Sequence, residues 1–391
     1  MLTWNQKEPP MRAGIYIHFP FCLKKCLYCD FNSTPATGSD HRGYVELLLK
    51  EMELRQAALP EPVSAPTLYF GGGTPSLMGP ELVGLVVASA RERFSLEPDA
   101  EVTLEANPGT LTRERLDGYL AAGVNRLSLG VQSFEDRLLK RLGRVHSSAE
   151  ALSAFQDARR AGFDNISIDL MHSLPGQSLS QWREALELAV SLSPEHVSAY
   201  ALSIEEGTPF ERLHDEGALP LPAEEEAAAM FEATTAVLSK AGYRHYEISN
   251  YALPGRHSRH NSSYWNRLSY LGFGAGAHSF WNPDGLGRRW KNPGDVAAYA
   301  GGIEAGLPVD EEPEQLTLKD ALSESFFLGL RMLDGLDLAP LLERYGEAAL
   351  APYLEQAAAW EKRGALIREG SLIRVSPGAV ILANGIFSSF V

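Results

Sequence analysis

The chain has 391 residues, enough for one large α/β unit and a smaller second one, because single hydrophobic cores stop growing at roughly 250 to 300 residues. Hydrophobic residues make up 45% and charged residues 22%, as in ordinary soluble globular proteins, and no apolar run approaches the ~20 residues of a membrane-spanning helix. With 50 acidic against 35 basic residues the formal net charge is -15, which argues against a nucleic-acid-binding face. From "GIYIHF" (Gly14 to Phe19) onward, short apolar runs alternate with helical patterns. Strands are predicted at "TLYF" (Thr67 to Phe70), "EVTLE" (Glu101 to Glu105), "RLSLGV" (Arg126 to Val131), "NISIDL" (Asn165 to Leu170), "HVSAYAL" (His196 to Leu202) and "YRHYEIS" (Tyr243 to Ser249). Between them, "HRGYVELLLKEMELRQAAL", "TRERLDGYLAAG", "SSAEALSAFQDARRAG" and "SQWREALELAVSL" carry apolar residues at helical spacing, several ending in Gly.

A repeated βα pattern implies a parallel sheet, and right-handed crossovers curl six such units into a full or partial TIM-like barrel rather than an open doubly wound sheet. The unusual polar residues favour the barrel. "GGGTPS" follows the second strand, while Glu105, Gln132 and Asp169 end the third, fourth and fifth, on the side where barrels of this type hold their sites. After about Leu307 the pattern becomes helices, then two short strands, "LIRE" and "LIRVS", and a last helix, a winged-helix-like order. The expected division is a barrel over 1–300 and a smaller helical unit over 301–391.

All three cysteines, Cys22, Cys26 and Cys29, lie in "FCLKKCLYCDF". A closed zinc site needs a fourth ligand, which one of ten scattered histidines would have to supply, whereas an iron-sulfur cluster held by three thiolates leaves one iron open. The few cysteines, and an opening "MLTWNQKEPPMRAG" with no apolar signal core or Arg-rich transit character, lead to the expectation of a cytoplasmic protein.

The spacing Cys22-x3-Cys26-x2-Cys29, with Tyr28 before the last cysteine, resembles the signature of radical S-adenosylmethionine (SAM) enzymes. That resemblance implies a [4Fe-4S] cluster on the three thiolates, with SAM chelating the open iron. "YIHFPFCLKKCLYCDF", "GGGTPS", "LEANPGT", "RLSLGVQSF", "LGRVHS" and "SIDLMHSLPGQ" extend it over nearly the whole chain, to the coproporphyrinogen-dehydrogenase group. It implies SAM contacts at Tyr16, Gly72, Gly73, Thr74, Glu105, Gln132, Arg144 and Asp169, with looser local matches at Ser203 and His278.

Within that group, oxygen-independent coproporphyrinogen III oxidases carry another cysteine two residues after the third, and a longer N-terminal segment. Here Phe31 takes that place. The chain therefore resembles the other branch, the HemW-type heme chaperones, which also carry "HNxxYW", here "HNSSYW" from His260 to Trp265. The branch implies heme as cargo, contacts at His260, Tyr264 and Trp265 with His257 as the alternative ligand, and an apo-hemoprotein acceptor, at the membrane in the respiratory case. Decarboxylation of coproporphyrinogen III is the alternative activity, and a radical SAM methyltransferase a more distant one. Ser173 stands where the family usually has Gly. No catalytic residue, acceptor identity or oligomeric state follows from the sequence, which leaves a homodimer open.

Overall fold

Along each of the first six long strands, one face is apolar and the other polar or small. Ile15, Ile17 and Phe19, then Leu68 and Phe70, Val102 and Leu104, Leu127 and Leu129, Ile166 and Ile168, and Val197 and Ala199 are buried in one continuous core. Period-two alternation of this kind puts the apolar set beneath covering helices and turns the other set into the space that the curled sheet encloses. The computed structural model describes residues 10–306 and 309–391. The reading of the opening segment falls mainly outside those residues, as does the change of pattern at Leu307.

Strands Gly14–Phe19, Val63–Gly72, Leu96–Ala106, Arg126–Gln132, Ile166–His172 and His196–Ala201 pair in parallel, side by side in chain order. Tyr270–Phe273 adds a further parallel strand beside the first. Antiparallel strands extend both sides, Arg244–Glu247 and Asn250–Ala252 beyond the sixth, and His278–Trp281, Arg288–Lys291 and Glu311–Gln315 beyond Tyr270–Phe273. Among the described residues the outermost strands do not pair with each other, so the sheet stays open. It is a partial TIM-like barrel. The sequence reading did not foresee this sheet's strands between Tyr270 and Gln315, which are four or five residues long and separated by Gly-, Pro- and Asn-containing turns.

The covering helices follow from local chemistry. Helices α1 (His41–Ala58), α2 (Pro80–Arg93), α3 (Arg113–Ala122), α4 (Asp136–Leu142), α5 (Ser148–Ala161) and α6 (Leu179–Leu192) return the chain between strands. Asp40, Thr112, Ser147 and Ser178 cap their N-termini with side-chain oxygens, and α3, α4 and α5 stop at Gly123, Gly143 and Gly162 in left-handed conformation. One buried carboxylate closes the near edge. Glu51 of α1 accepts from the backbone N–H of Gly274, the Asn292 amide and the Tyr299 hydroxyl at 2.6–2.8 Å. It thus ties together three segments remote in sequence.

A second core, from Phe326 to Phe390, belongs to the C-terminal residues. Helix Leu318–Gly329, helix Glu347–Lys362 and the hairpin Leu366–Glu369 with Leu372–Val375 match the expected order. A third strand, Leu336–Asp337, joins the hairpin, and the expected last helix divides into a 3-10 turn and a short helix, Ala383–Ser388. The large sheet itself continues through Gln315, past residue 300.

Candidate active site at the strand ends

The cysteine loop leaves the first strand and is held at three points. Thr34 N–H donates to the Pro20 carbonyl, Leu27 N–H to Leu142 and Phe210 N–H to Leu27. Leu27 and Tyr28 sink into a small apolar cluster of Leu138, Leu142, Met171, Leu174 and Phe210. Gly143 permits that seating, since a Cβ there would stand 3.1 Å from Leu27 Cγ on a backbone with φ of 78°. The same left-handed turn carries the chain on to Arg144. Its guanidinium donates to the Gly130 carbonyl at 2.6 Å and to Cys26 Sγ at 3.5 Å.

The glycine run is fixed by its contacts with the first strand, and Gly72, Gly73 and Thr74 face the cavity. Gly73 and Thr74 N–H groups donate to the Phe19 and Phe21 carbonyls, and a Cβ on Gly72, whose φ is 107°, would meet the His18 ring at 2.7 Å. The run docks against the first strand. Its N–H groups are thereby used, and the Thr74 hydroxyl is left to donate to Cys22 Sγ at 3.4 Å.

Cys22, Cys26, Cys29, Gly72, Gly73, Thr74, Glu105, Gln132, Arg144, Asp169, Ser203 and Trp265 all line one cavity of about 640 Å³, within the size range of small-molecule sites. Of the other expected site residues, Tyr16, on the inward face of the first strand, is not among the lining residues and is bonded to His18 Nδ1 at 3.1 Å, and His278 is exposed on an outer antiparallel strand. His260 and Tyr264 are also outside it. His260 is 1% exposed, with Nδ1 paired to the Thr67 hydroxyl and Nε2 to the Tyr264 hydroxyl, each at 2.7 Å. Its ring stacks on Tyr69 at 5.0 Å. Glu101 bonds the backbone N–H groups of Arg259 and His260, an anion at the start of helix Arg259–Trp265. Both imidazole nitrogens are therefore engaged with neighbouring hydroxyls. His257 is half-buried and lies flat on Tyr246 at 4.1 Å.

Electrostatics divides the cavity. Burial pushes the Glu105 carboxyl up to about 7; the Tyr69 hydroxyl bonded to it acts the other way and the neighbouring Asp169 adds to the rise. Burial also raises Asp169, against the Ser128 and Ser167 hydroxyls that donate to it at 2.9–3.1 Å. Burial opposes the charge of Arg144, but Tyr28 and Cys26 beside it leave it held more firmly protonated than an ordinary arginine. Gln132 has a φ of 65° at a register shift, and accepts the Tyr200 hydroxyl at 2.8 Å. A non-glycine residue held in that conformation marks a position fixed by its surroundings. Ser173, the departure from the family pattern, has a φ of 58°, where Gly carries no penalty, and its hydroxyl pairs with His172 Nδ1 at 3.0 Å.

The thiols suit a cluster better than a single ion. None of the three is in a disulfide, and burial pushes Cys29 up to about 11, with Cys26 and Cys22 among the groups adding to the rise. Thiols held in this way would lose their protons to a cation bound beside them. Among the described residues no group of three or more His, Cys, Asp and Glu converges on a single-ion site. A cubane takes one thiolate at each of three separate corners.

The comparisons with known proteins agree with this geometry. The Radical SAM superfamily matches residues 16–189 and the HemN C-terminal domain matches residues 316–382. The class is a radical SAM module followed by a HemN-type C-terminal domain. The heme chaperone HemW of Bacillus subtilis (strain 168) is 36% identical over 377 residues, covering 96% of this chain and 98% of its own. HemW of Escherichia coli (strain K12) is 42% identical over 275 residues, 70% of each chain. Among solved structures, coproporphyrinogen III oxidase (HemN) from Escherichia coli superposes with a TM-score of 0.84 over 98% of this chain and 91% of its own, at 23% identity, a likeness of fold. The chain belongs to the HemW family of radical SAM proteins.

Proposed function

We propose that the protein holds a [4Fe-4S] cluster on Cys22, Cys26 and Cys29 with SAM at the open iron, binds heme in the adjoining cavity, and hands that heme to an apo-hemoprotein. The observation that carries this reading is the single cavity that joins three free thiols to the strand-end residues and runs on to Trp265 and Arg331. It is supported by the printed function of relatives such as the HemW of Bacillus subtilis. When bound, the cluster supplies an electron to the sulfonium of SAM.

The protein's own part is binding and orientation. The Thr74 hydroxyl and Arg144 guanidinium each donate to a cysteine sulfur, which stabilises thiolate charge. Glu105 and Asp169, on neighbouring strands, present carboxylates suited to an ammonium group or ribose hydroxyls. Arg144 presents a planar fork to a carboxylate. His260 has no part in holding iron in this reading; Asn261 and Trp265 are the members of the hexapeptide on the cavity wall. Among the described residues no helix is long and apolar enough to cross a membrane, so an acceptor at the membrane is reached through contact with that partner.

Paired assays on the cluster-loaded protein test the function. Heme titration should saturate at a fixed stoichiometry, while coproporphyrinogen III with SAM and reductant should yield no protoporphyrinogen IX. Product formation at enzymic rates would overturn the chaperone reading in favour of the oxidase. Replacing any of Cys22, Cys26 or Cys29 by Ser should abolish the iron-sulfur absorbance, and retained zinc without iron would overturn the cluster assignment.

A further inference from the structure

The cavity floor holds a cation without a partner. Arg126 begins strand Arg126–Gln132, lines the cavity and is 1% exposed. Its Nε has no hydrogen-bond partner, and no ion pair or side-chain hydrogen bond among the described residues involves its guanidinium. A guanidinium does not shed its proton to escape burial, and an uncompensated buried charge costs several kcal/mol. Native interiors therefore rarely leave one with idle donors. Arg331, also on the cavity wall, likewise has a buried Nε without a hydrogen-bond partner, but it is only half-buried and its charge lies over the Trp265 ring at 4.2 Å.

Two carboxylates feel the charge of Arg126 without meeting it. Glu105 is held by the Tyr69 hydroxyl at 2.7 Å, and Asp169 by Ser128 and Ser167. Glu101, in the same layer, is taken up by the backbone of the helix that plugs the barrel. The donors of Arg126 are thus left to the cavity.

We propose that Arg126 is a carboxylate-binding residue that receives a propionate of the tetrapyrrole cargo, an inference that rests on the heme-binding reading above. SAM supplies the other carboxylate in this cavity, and position along the strand separates the two. At about 3.3 Å per residue, Arg126 stands about 20 Å of strand before Gln132, while the cysteine loop and Arg144 lie at the Gln132 end. Between them the inward positions are the small Ser128 and Gly130, which leave the passage open. A planar fork suits a carboxylate through two parallel hydrogen bonds.

The test titrates heme and heme dimethyl ester, which keeps the ring and iron but has no free carboxylate, into the full-length cluster-loaded protein and its Arg126→Met and Arg126→Lys variants. S-adenosylhomocysteine and 5′-methylthioadenosine, which lacks the methionine carboxylate, are titrated in parallel, and circular dichroism checks folding. Wild type should prefer heme to its ester by tenfold or more. Arg126→Met should bind the two porphyrins alike, Arg126→Lys should keep part of the preference, and S-adenosylhomocysteine affinity should not move. Equal binding of both porphyrins by wild type overturns the proposal without recourse to a variant, as does an undiminished preference in folded Arg126→Met. A loss confined to S-adenosylhomocysteine overturns it too, by assigning Arg126 to the SAM carboxylate. Failure of wild type to take up either porphyrin sinks the cargo reading and this proposal together.

Discussion

Replacing His260 by Ala separates a histidine that holds the barrel from one that holds iron. The substitution removes two buried hydrogen bonds, to Thr67 and Tyr264, and a ring stacked on Tyr69. Each lost bond is worth about 1 kcal/mol, and the vacated ring space adds about 1–3 kcal/mol, so the fold should lose about 3–5 kcal/mol. Denaturant unfolding of wild type and variant reads that loss, with Thr67→Val as a milder partner expected to cost about 1 kcal/mol. Heme titration of the folded variant should give wild-type affinity. The pH dependence supplies an independent signature. Burial, with Arg126 next, pulls His260 down to about 3 from an ordinary value near 6.5. A lowered folded-state value means that the unfolded chain takes the proton first. Stability is therefore full above about pH 7 and falls as pH drops below about 6.5, by up to the order of 5 kcal/mol at pH 3 from this residue alone. The variant should show a flatter acid limb. Loss of heme absorbance in a His260→Ala protein that unfolds at the wild-type midpoint, with an unchanged acid limb, would refute the structural role.

Two further outcomes follow from the packing around the cavity. Gly72→Ala places a methyl group 2.7 Å from the His18 ring at a φ of 107°; it should destabilise the fold by about 2 kcal/mol or more and reduce cluster incorporation, read by unfolding and iron content. Glu51→Ala removes the common acceptor of Gly274 N–H, Asn292 and Tyr299, and should cost about 3–5 kcal/mol in denaturant unfolding; a change below about 0.5 kcal/mol would show that the junction relaxes without it.

Much of the fold is legible in the chain because its signals are local. The first strand was expected at Gly14 to Phe19 and stands at Gly14–Phe19, and α5 and α6 lie where the helical spacing of apolar residues places them. The cysteine spacing and its neighbours carry the family by themselves. Arg126 was also within reach: "RLSLGVQ" alternates polar or small residues with apolar ones, and the polar set faces the cavity that the other inward positions line. The sign of an arginine at an inward strand position was in the sequence, but its lack of a partner was not.

What the sequence determined by itself, then, is the order of βα units, the membership in a radical SAM family and the three thiols on one loop, each set by neighbours a few residues apart. Tertiary structure alone decided the rest. His260 meets Thr67 across 193 positions, and Glu51 meets Asn292 across 241. Such pairings depend on sheet register and helix docking, and a hydrogen-bond acceptor reads the same in sequence whether its partner is a hydroxyl or an iron. The fold therefore seats His260 as a buried, doubly hydrogen-bonded side chain, and leaves Arg126 facing the cavity with its donors unused.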